Sequence, residues 1–240
     1  MKKAIVIGAS SGIGRELAIT LAKKGYEVGL VARRTDLLES LKNEIQTNSF
    51  TEHLDLRRVP DAIEKIRALI QRMKGVDLIV FNAGIGFLNP ELDWSKEEQT
   101  IDVNVSGFSA VMGEVYKFFS KQGHGQIVGI SSIGALRGNA IAPAYNASKA
   151  FMSNYLEGLR KKAFQENLPI VVTDIKPGFV DTEMAKGEGK FWVATTQEAA
   201  HQIYSAIKKK KKQAYITHRW RLIGWALKCM PNWLYQRMAL

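Results

Sequence analysis

The chain has 240 residues, 46% of them hydrophobic, which is enough for one large domain with a substantial core. A single cysteine, Cys229, excludes an intramolecular disulfide framework and is typical of a reducing compartment. The four histidines are scattered without metal-ligand spacing, so we expect no metal site. The apolar run in "MKKAIVIG" is too short for a signal peptide, and nowhere do eighteen apolar residues follow one another. We therefore expect a cytoplasmic protein without a membrane-spanning helix.

The net charge of +11 is concentrated near the C-terminus. Residues 208–240 carry nine basic groups and no acidic one, and taking these nine from the total of 34 leaves 25 basic residues against 23 acidic ones. The nine are Lys208, Lys209, Lys210, Lys211, Lys212, Arg219, Arg221, Lys228 and Arg237. They form no recognisable nucleic-acid-reading motif, so we expect no nucleic-acid partner.

Short apolar runs alternate with longer helical patterns along the chain. The predicted strands cover residues 3–7, 27–32, 49–54, 78–81, 126–130, 170–175 and 214–217. The predicted helices cover residues 12–24, 35–47, 59–73, 95–120, 144–166 and 196–210. Strict β–α alternation predicts an α/β fold with a doubly wound, Rossmann-type parallel sheet of about seven strands, in one domain over residues 1–217. Ligands of such sheets bind beyond the carboxyl ends of the strands, so the residues after each strand are the candidates.

The first strand is followed by "GASSGIG", residues 8–14, which leads into a helix. Gly8 allows the tight turn, Gly12 lets the backbone approach a ligand, and Gly14 permits close contact between helix and strand. The helix start presents free N–H groups and the positive end of the helix dipole to a phosphate. This loop predicts a nucleotide-binding site.

Two arginines, Arg33 and Arg34, follow the second strand. An acidic residue here would bind the 2′-hydroxyl of NAD, whereas a guanidinium can clamp the 2′-phosphate of NADP. Ser10 and Ser11 add hydroxyl donors. The pattern favours NADP over NAD as the cofactor.

The stretch "YNASK" places Tyr145 and Lys149 four residues apart, so they share one face of a helix. A nearby cation favours the phenolate, but lowering a tyrosine pKa by about three units needs roughly 4 kcal/mol. A buried lysine together with a second positive charge could supply this. The pair is therefore a candidate acid/base site if other motifs accompany it.

Other motifs do accompany it, and together they resemble the short-chain dehydrogenase/reductase family over residues 3 to about 217. The resemblance rests on "GASSGIG", "NAG" (82–84), "DVNVSG" around Asn104, "ISS" ending at Ser132, "YNASK" and "PGFVDT" (177–182), in the family's order and spacing. Two positions depart from the family pattern. Ile7 replaces a common threonine, and Gly129 stands where asparagine is frequent.

The resemblance implies a role for each of four catalytic residues. Tyr145 would be the general acid/base. Lys149 would hold the nicotinamide ribose and, together with the positive nicotinamide of the oxidised cofactor, lower the tyrosine pKa. Ser132 would bind the substrate oxygen, and Asn104 would anchor a water that relays protons. Ser131 is expected to be a silent neighbour. The implied cofactor-binding residues are Gly8, Ser10, Ser11, Gly12, Ile13, Gly14, Arg33, Arg34, Asp55, Leu56, Asn82, Ala83, Gly84, Tyr145, Lys149, Pro177, Gly178, Val180 and Thr182.

The predicted function is an NADP(H)-dependent oxidoreductase acting on a small, apolar carbonyl or alcohol substrate. The alternative is a catalytically silent NADP(H) sensor of the same fold. The family commonly pairs the helices at 95–120 and 144–166 across a two-fold axis, which implies a homodimer or homotetramer. Apolar positions on these helices suit either that interface or the chain's own core: Phe108, Val111, Val115, Phe151, Tyr155 and Leu159.

The segments after Thr182 and Thr217 carry two further hypotheses. Met184, Phe191, Trp192 and Val193 suit a mobile apolar lid or an ordinary surface loop. Residues 218–230 predict an amphipathic helix, and Pro231 suits the start of a second short helix. The apolar members of this extension, residues 218–240, are Trp220, Leu222, Ile223, Trp225, Ala226, Leu227, Met230, Trp233, Leu234 and Met238. They could wall the substrate entrance, pack on a partner subunit, or touch an anionic membrane in a peripheral contact.

Overall fold

The computed structural model describes residues 1–183 and 191–237. Within these residues seven parallel strands form one sheet in the order β3-β2-β1-β4-β5-β6-β7. The strands are β1 (Lys3–Ile7), β2 (Glu27–Ala32), β3 (Ser49–His53), β4 (Leu78–Phe81), β5 (Gly125–Ile130), β6 (Ile170–Pro177) and β7 (Gln213–Ile216). Strand order reverses between β1 and β4, so a crevice opens there beyond the carboxyl ends of the strands. The prediction of a doubly wound, seven-stranded sheet is confirmed.

Helices cover both faces of the sheet. They are α1 (Gly12–Lys23), α2 (Thr35–Glu44), α3 (Val59–Arg72), α4 (Trp94–Ile101), α5 (Phe108–Gln122), α6 (Pro143–Gln165), α7 (Thr196–Lys208), α8 (Trp220–Cys229) and α9 (Asn232–Tyr235). The apolar core is divided by the sheet into two layers, one under α1 and α7 and the other under α3, α5 and α6. The central strands are buried on both faces, which explains their nearly continuous apolar sequences.

The predicted helix at 95–120 is not one regular helix. A π-helical segment, Asp102–Gly107, joins α4 to α5. Asn104 in this segment is fully buried, and Gly107 packs so closely on the backbone of Leu56 that a Cβ would lie 2.6 Å from the Leu56 carbonyl oxygen. Such insertions often mark functional sites. Helical periodicity in the sequence does not reveal the π-helical segment, because the helical residue pattern continues unchanged from one side of it to the other.

The apolar positions that could have formed a subunit interface belong mainly to the chain's own core. Phe108, Val111, Val115 and Leu159 are buried within the chain. Tyr155 packs edge-on against Phe108, with ring centroids 5.6 Å apart. Phe151 is 37% exposed and stacks on Tyr155. These residues therefore supply little of the surface that the predicted homodimer or homotetramer would need, and the assembly stays a prediction.

The C-terminal segment continues from the carboxyl end of β7 into α8 and α9. The lysine run at 208–212 lies at the other end of β7, where it closes α7, so it is separate from the extension. A cation in the last turn of α7 complements the helix dipole. Among the described residues, no helix is long and apolar enough to cross a membrane. Met184 of the lid hypothesis and Met238 of the extension lie outside the described residues.

Candidate active site

The loop after β1 forms a tight cradle beside the end of β4. Gly8 has φ +89°, and a Cβ there would lie 2.6 Å from the Ala83 nitrogen. A Cβ on Gly14 would lie 2.0 Å from the Gly8 carbonyl oxygen, so both positions require glycine. The Asn82 side chain donates to the same Gly8 oxygen at 3.0 Å. The cradle therefore exposes its backbone to a ligand without side chains in the way.

Arg34 closes one side of this cradle. Its guanidinium donates to Ser10 Oγ at 3.2 Å and to Ser11 Oγ at 2.6 Å, and it lies 3.6 Å from a carboxylate oxygen of Glu183. Arg33 lines the same cavity and helps to lower the pKa of Asp55. Two guanidinium groups and two hydroxyls thus converge at one edge of the cavity, where a doubly charged phosphate would find several donors.

Asp55, expected beside an adenine ring, is paired with Arg57. The Arg57 guanidinium donates to both carboxylate oxygens, the shortest distance being 2.6 Å. The hydrogen bond from Arg57 lowers the pKa of Asp55 to about 2. Asp55 and Leu56 both line the cavity, so an adenine would meet a carboxylate whose charge is already compensated.

Asn104 lies behind the cavity wall. Its Oδ1 accepts from the Ile85 nitrogen at 2.9 Å, and its Nδ2 donates to the Ile85 carbonyl at 2.7 Å and to Ser148 Oγ at 3.0 Å. It thereby ties the strand end after β4 to α6. A Cβ on Gly84 would lie 3.1 Å from Lys149 Nζ and 3.3 Å from Asn104 Oδ1, so only a small residue fits between them.

Ser132, Tyr145 and Lys149 meet at the far wall of the cavity. Ser132 follows β5, whereas Tyr145 and Lys149 lie on the first turns of α6, one turn apart as the spacing predicts. Lys149 is 4% exposed, donates to the Ile130 carbonyl at 3.0 Å, and has its Nζ 5.8 Å from the centre of the Tyr145 ring. The Tyr145 ring packs directly on Gly86, where a Cβ would come within 2.3 Å of it.

The surrounding protein raises the pKa of Tyr145. Desolvation is the main cause, and a hydrogen bond with the Ser132 side chain opposes it. Burial also lowers the pKa of Lys149 to about 8, opposed by the charge of Asp174. The predicted lowering of the tyrosine pKa requires a second positive charge beside Lys149, so it stays a prediction. The phenol is protonated at neutral pH.

A buried polar network under this wall was missed from the sequence. Ser131, expected to be silent, donates to Asp174, which also accepts from Ser153 and Lys176. Asp174 is 3% exposed and Lys176 1% exposed. Both lie on β6, and the signal that could have found them is two charged residues within an otherwise apolar buried strand.

The loop after β6 covers the cavity from the other side. Gly178 packs against Trp220 of α8, and Val180 forms a β-bridge with Ala194. The Thr182 hydroxyl donates to the Val180 carbonyl at 3.3 Å, and its methyl group faces Gly12 across the cradle. Phe191, one of the proposed lid residues, stacks on Trp220 with ring centroids 5.1 Å apart.

All these elements surround one cavity of about 960 Å³. Of the predicted site residues, every one lines it except Gly14 and Asn104, which support the lining from behind. Apolar side chains outside the predicted set of site residues also line the cavity: Ile85, Phe87, Leu88, Ile141, Ala142 and Phe179. Among the described residues, no cluster of histidine, cysteine or carboxylate side chains could hold a metal ion.

The sequence and the fold have clear relatives. The family model for short chain dehydrogenase matches residues 2–191. An uncharacterized oxidoreductase of Myxococcus xanthus is 39% identical over 188 residues, covering 76% of this chain and 74% of that protein. A 3-oxoacyl-acyl-carrier-protein reductase of Buchnera aphidicola is 27% identical over 230 residues, covering 90% of this chain and 93% of its own.

Solved structures agree with these sequence relatives. An alcohol dehydrogenase from the archaeon Thermococcus sibiricus, in complex with 5-hydroxy-NADP, superposes with a TM-score of 0.79 at 26% identity, covering 90% of this chain and 95% of that one. The chain belongs to the short-chain dehydrogenase/reductase family and is an oxidoreductase that acts on CH–OH groups.

Proposed function

We propose that the chain is an NADP(H)-dependent carbonyl reductase with Tyr145 as its general acid. The observation that carries this proposal is that Ser132, Tyr145 and Lys149 line the same cavity as Arg33 and Arg34. The cavity volume of about 960 Å³ lies at the upper end of the range for ligand pockets, which suits a dinucleotide with a small substrate.

The cradle fits the phosphates of such a cofactor. Its glycines leave no room for side chains, so backbone N–H groups at the start of α1 face the cavity together with the helix dipole. Arg34 with Ser10 and Ser11, assisted by Arg33, would hold the 2′-phosphate of NADP. Lys149 would donate to the ribose hydroxyls from its buried position.

When bound, NADPH would supply a hydride for the carbonyl carbon. The chain's own contribution is to hold and protonate the oxygen. Ser132 donates a hydrogen bond to that oxygen, and Tyr145 passes it the phenolic proton, so the carbonyl becomes an alcohol. Burial raises the pKa of Tyr145, so the phenol carries this proton at neutral pH, which is the form that a general acid needs.

The substrate is proposed to be an apolar aldehyde or ketone. The wall beside Tyr145 is formed by aliphatic and aromatic side chains, including Ile85, Leu88 and Phe179. Burial of apolar substrate surface against them supplies binding free energy without requiring a partner for a charged group. Ser132 and Tyr145 are the polar groups that would orient the carbonyl.

The cofactor assignment is tested by Arg33→Asp. Replacing a phosphate-binding guanidinium by a carboxylate should weaken NADPH binding by about 2 kcal/mol, close to thirtyfold, while NADH binding is unchanged or improved. Lys161→Asp, on the exposed side of α6, makes the same change in net charge away from the cavity and serves as the control. Fluorescence titration of both variants with both cofactors gives the result. Tighter binding of NADH than of NADPH by the parent chain would contradict the assignment.

A further inference from the structure

The outer face of the C-terminal extension exposes an apolar stripe. The predicted apolar arc of α8 divides into two faces, of which one packs on the domain through Trp220 and Gly224. The other face carries Leu222, 68% exposed, and Trp225, 69% exposed. A single exposed leucine is ordinary, but large apolar side chains gathered on one helix mark an interaction surface.

The next helix also exposes large apolar side chains. Trp233 is 60% exposed and Leu234 40% exposed on α9. Together Leu222, Trp225, Trp233 and Leu234 form what we call the outer stripe. Two of its four members are tryptophans, whose amphipathic rings favour the boundary between water and lipid.

Cations accompany the outer stripe. Arg221 and Lys228 lie together along one side of α8, because positions seven residues apart fall nearly in line on a helix. Arg219 precedes α8 and Arg237 follows α9, with the Arg237 guanidinium over the Trp233 ring. Residues 218–240 contain no acidic residue. Within the part of the chain that the structure describes, none of these four cations forms an ion pair.

The extension is fastened to the domain beside the cavity. Arg137 donates to the Met230 carbonyl at 3.2 Å, and its guanidinium lies 4.5 Å from the centre of the Tyr235 ring. The Tyr235 hydroxyl donates to the Gly138 carbonyl. On the other side, Trp220 packs between Phe179 and Phe191. The outer stripe is thus presented by two helices held on both sides, at the carboxyl edge of the sheet where the cavity opens.

We propose that the outer stripe and its cations bind the surface of an anionic phospholipid membrane, with α8 and α9 lying in the interface. Apolar area enters the headgroup region while each nearby arginine or lysine gains attraction from the anionic lipid. A second copy of the chain fits this face poorly. A two-fold contact would bring the same four cations against each other without an acidic partner.

The test is co-sedimentation of the full-length chain with two kinds of vesicle in 50 mM salt. One kind contains phosphatidylcholine alone, and the other contains about 30% phosphatidylglycerol. We expect the chain to bind the anionic vesicles, and this binding should weaken as the salt concentration is raised. Binding to the neutral vesicles should be at least tenfold weaker than binding to the anionic ones.

Two double variants separate the contributions. Leu222→Ser with Trp225→Ser removes half of the outer stripe, and Arg221→Glu with Lys228→Glu reverses two charges, so each should lower binding to anionic vesicles about tenfold or more. Phe164→Ser is the matched apolar control, since Phe164 is 84% exposed near the end of α6. Lys117→Glu with Lys161→Glu is the matched charge control, on the exposed faces of α5 and α6. Thermal melting verifies that all variants fold.

The outcomes decide the proposal without any measurement of catalysis. Failure of the parent chain to bind anionic vesicles at low salt overturns it. Equal binding by the outer-stripe variant and the Phe164 control overturns it as well. If the outer-stripe variant instead changes the molecular mass in light scattering, the surface is a contact between copies. Binding of the parent to oligouridine as tight as to the anionic vesicles would make it a nucleic-acid surface.

Discussion

Replacing Lys149 with methionine should stabilise the folded chain, although it removes a residue proposed to bind the cofactor. Lys149 is 4% exposed, and no carboxylate among the described residues forms an ion pair with it. Desolvation lowers its pKa from 10.5 to about 8. At 1.36 kcal/mol per pKa unit, the charged ammonium destabilises the folded state by about 3 kcal/mol below pH 8. Loss of its hydrogen bond to Ile130 offsets about 1 kcal/mol, so the expected net gain is about 2 kcal/mol at pH 7.

The difference in stability between Lys149→Met and the parent chain should change with pH in a definite direction. Below pH 8, Lys149 binds a proton in both the folded and the unfolded states, so the full penalty is present. Between about pH 8 and 10.5 the folded state has lost that proton while the unfolded state still holds it, so the parent gains stability relative to the variant as pH rises. The advantage of the variant should therefore disappear across this window.

Urea unfolding followed by circular dichroism at pH 7, 8, 9 and 10 measures the difference. Lys161→Met, at an exposed position on α6, should stay within about 0.5 kcal/mol of the parent at every pH. A difference between Lys149→Met and the parent that does not change with pH would refute the reasoning. A variant less stable than the parent at pH 7 would refute it too.

Two further substitutions test the packing around the site. Asp174→Asn leaves the buried Lys176 ammonium without its carboxylate, so the free energy of unfolding should fall by about 3–5 kcal/mol. The melting temperature measured by calorimetry should fall by about 6–20 °C. A fall below about 2 °C would show that the network is not a tight ion pair. Gly178→Ala would place a Cβ 2.0 Å from the Trp220 ring and should lower the free energy of unfolding by about 1–3 kcal/mol. Gly158 lies on α6 with open space around it, so Gly158→Ala should leave the stability unchanged or raise it. Equal stability of these two glycine variants in urea would contradict the close packing of α8 on the domain.

Much of the fold could be predicted because local signals agree with the global arrangement. Strands buried on both faces have nearly continuous apolar sequences, and glycine-rich turns separate them from amphipathic helices. The convergence of Ser132, Tyr145 and Lys149 was also predictable, since the carboxyl ends of parallel strands meet at one edge. Their catalytic and cofactor-binding roles stay predictions.

The features that the sequence did not reveal depend on contacts between distant residues. The π-helical segment exists where Asn104 reaches Ile85 across the fold, and the helical pattern around it carries no mark of that contact. The pKa of Tyr145 is raised by desolvation, and the sequence spacing of Tyr145 and Lys149 does not show how far either side chain is removed from water. Likewise, the packing of Trp220 on Gly178 and of Gly224 on Tyr215 shows which half of the apolar arc of α8 is buried.

The measurement that tests the central proposal most directly is NADPH oxidation by the parent chain and by Tyr145→Phe, followed by absorbance over a panel of apolar aldehydes and ketones. The phenylalanine keeps the ring that packs on Gly86 but lacks the proton that reduction requires. We expect the parent to reduce at least one member of the panel, and the variant to do so at least a hundredfold more slowly while it binds NADPH with the parent's affinity. Turnover by the variant close to that of the parent would remove Tyr145 from the mechanism. Tight NADPH binding by the parent without reduction of any carbonyl in the panel would instead indicate a cofactor sensor.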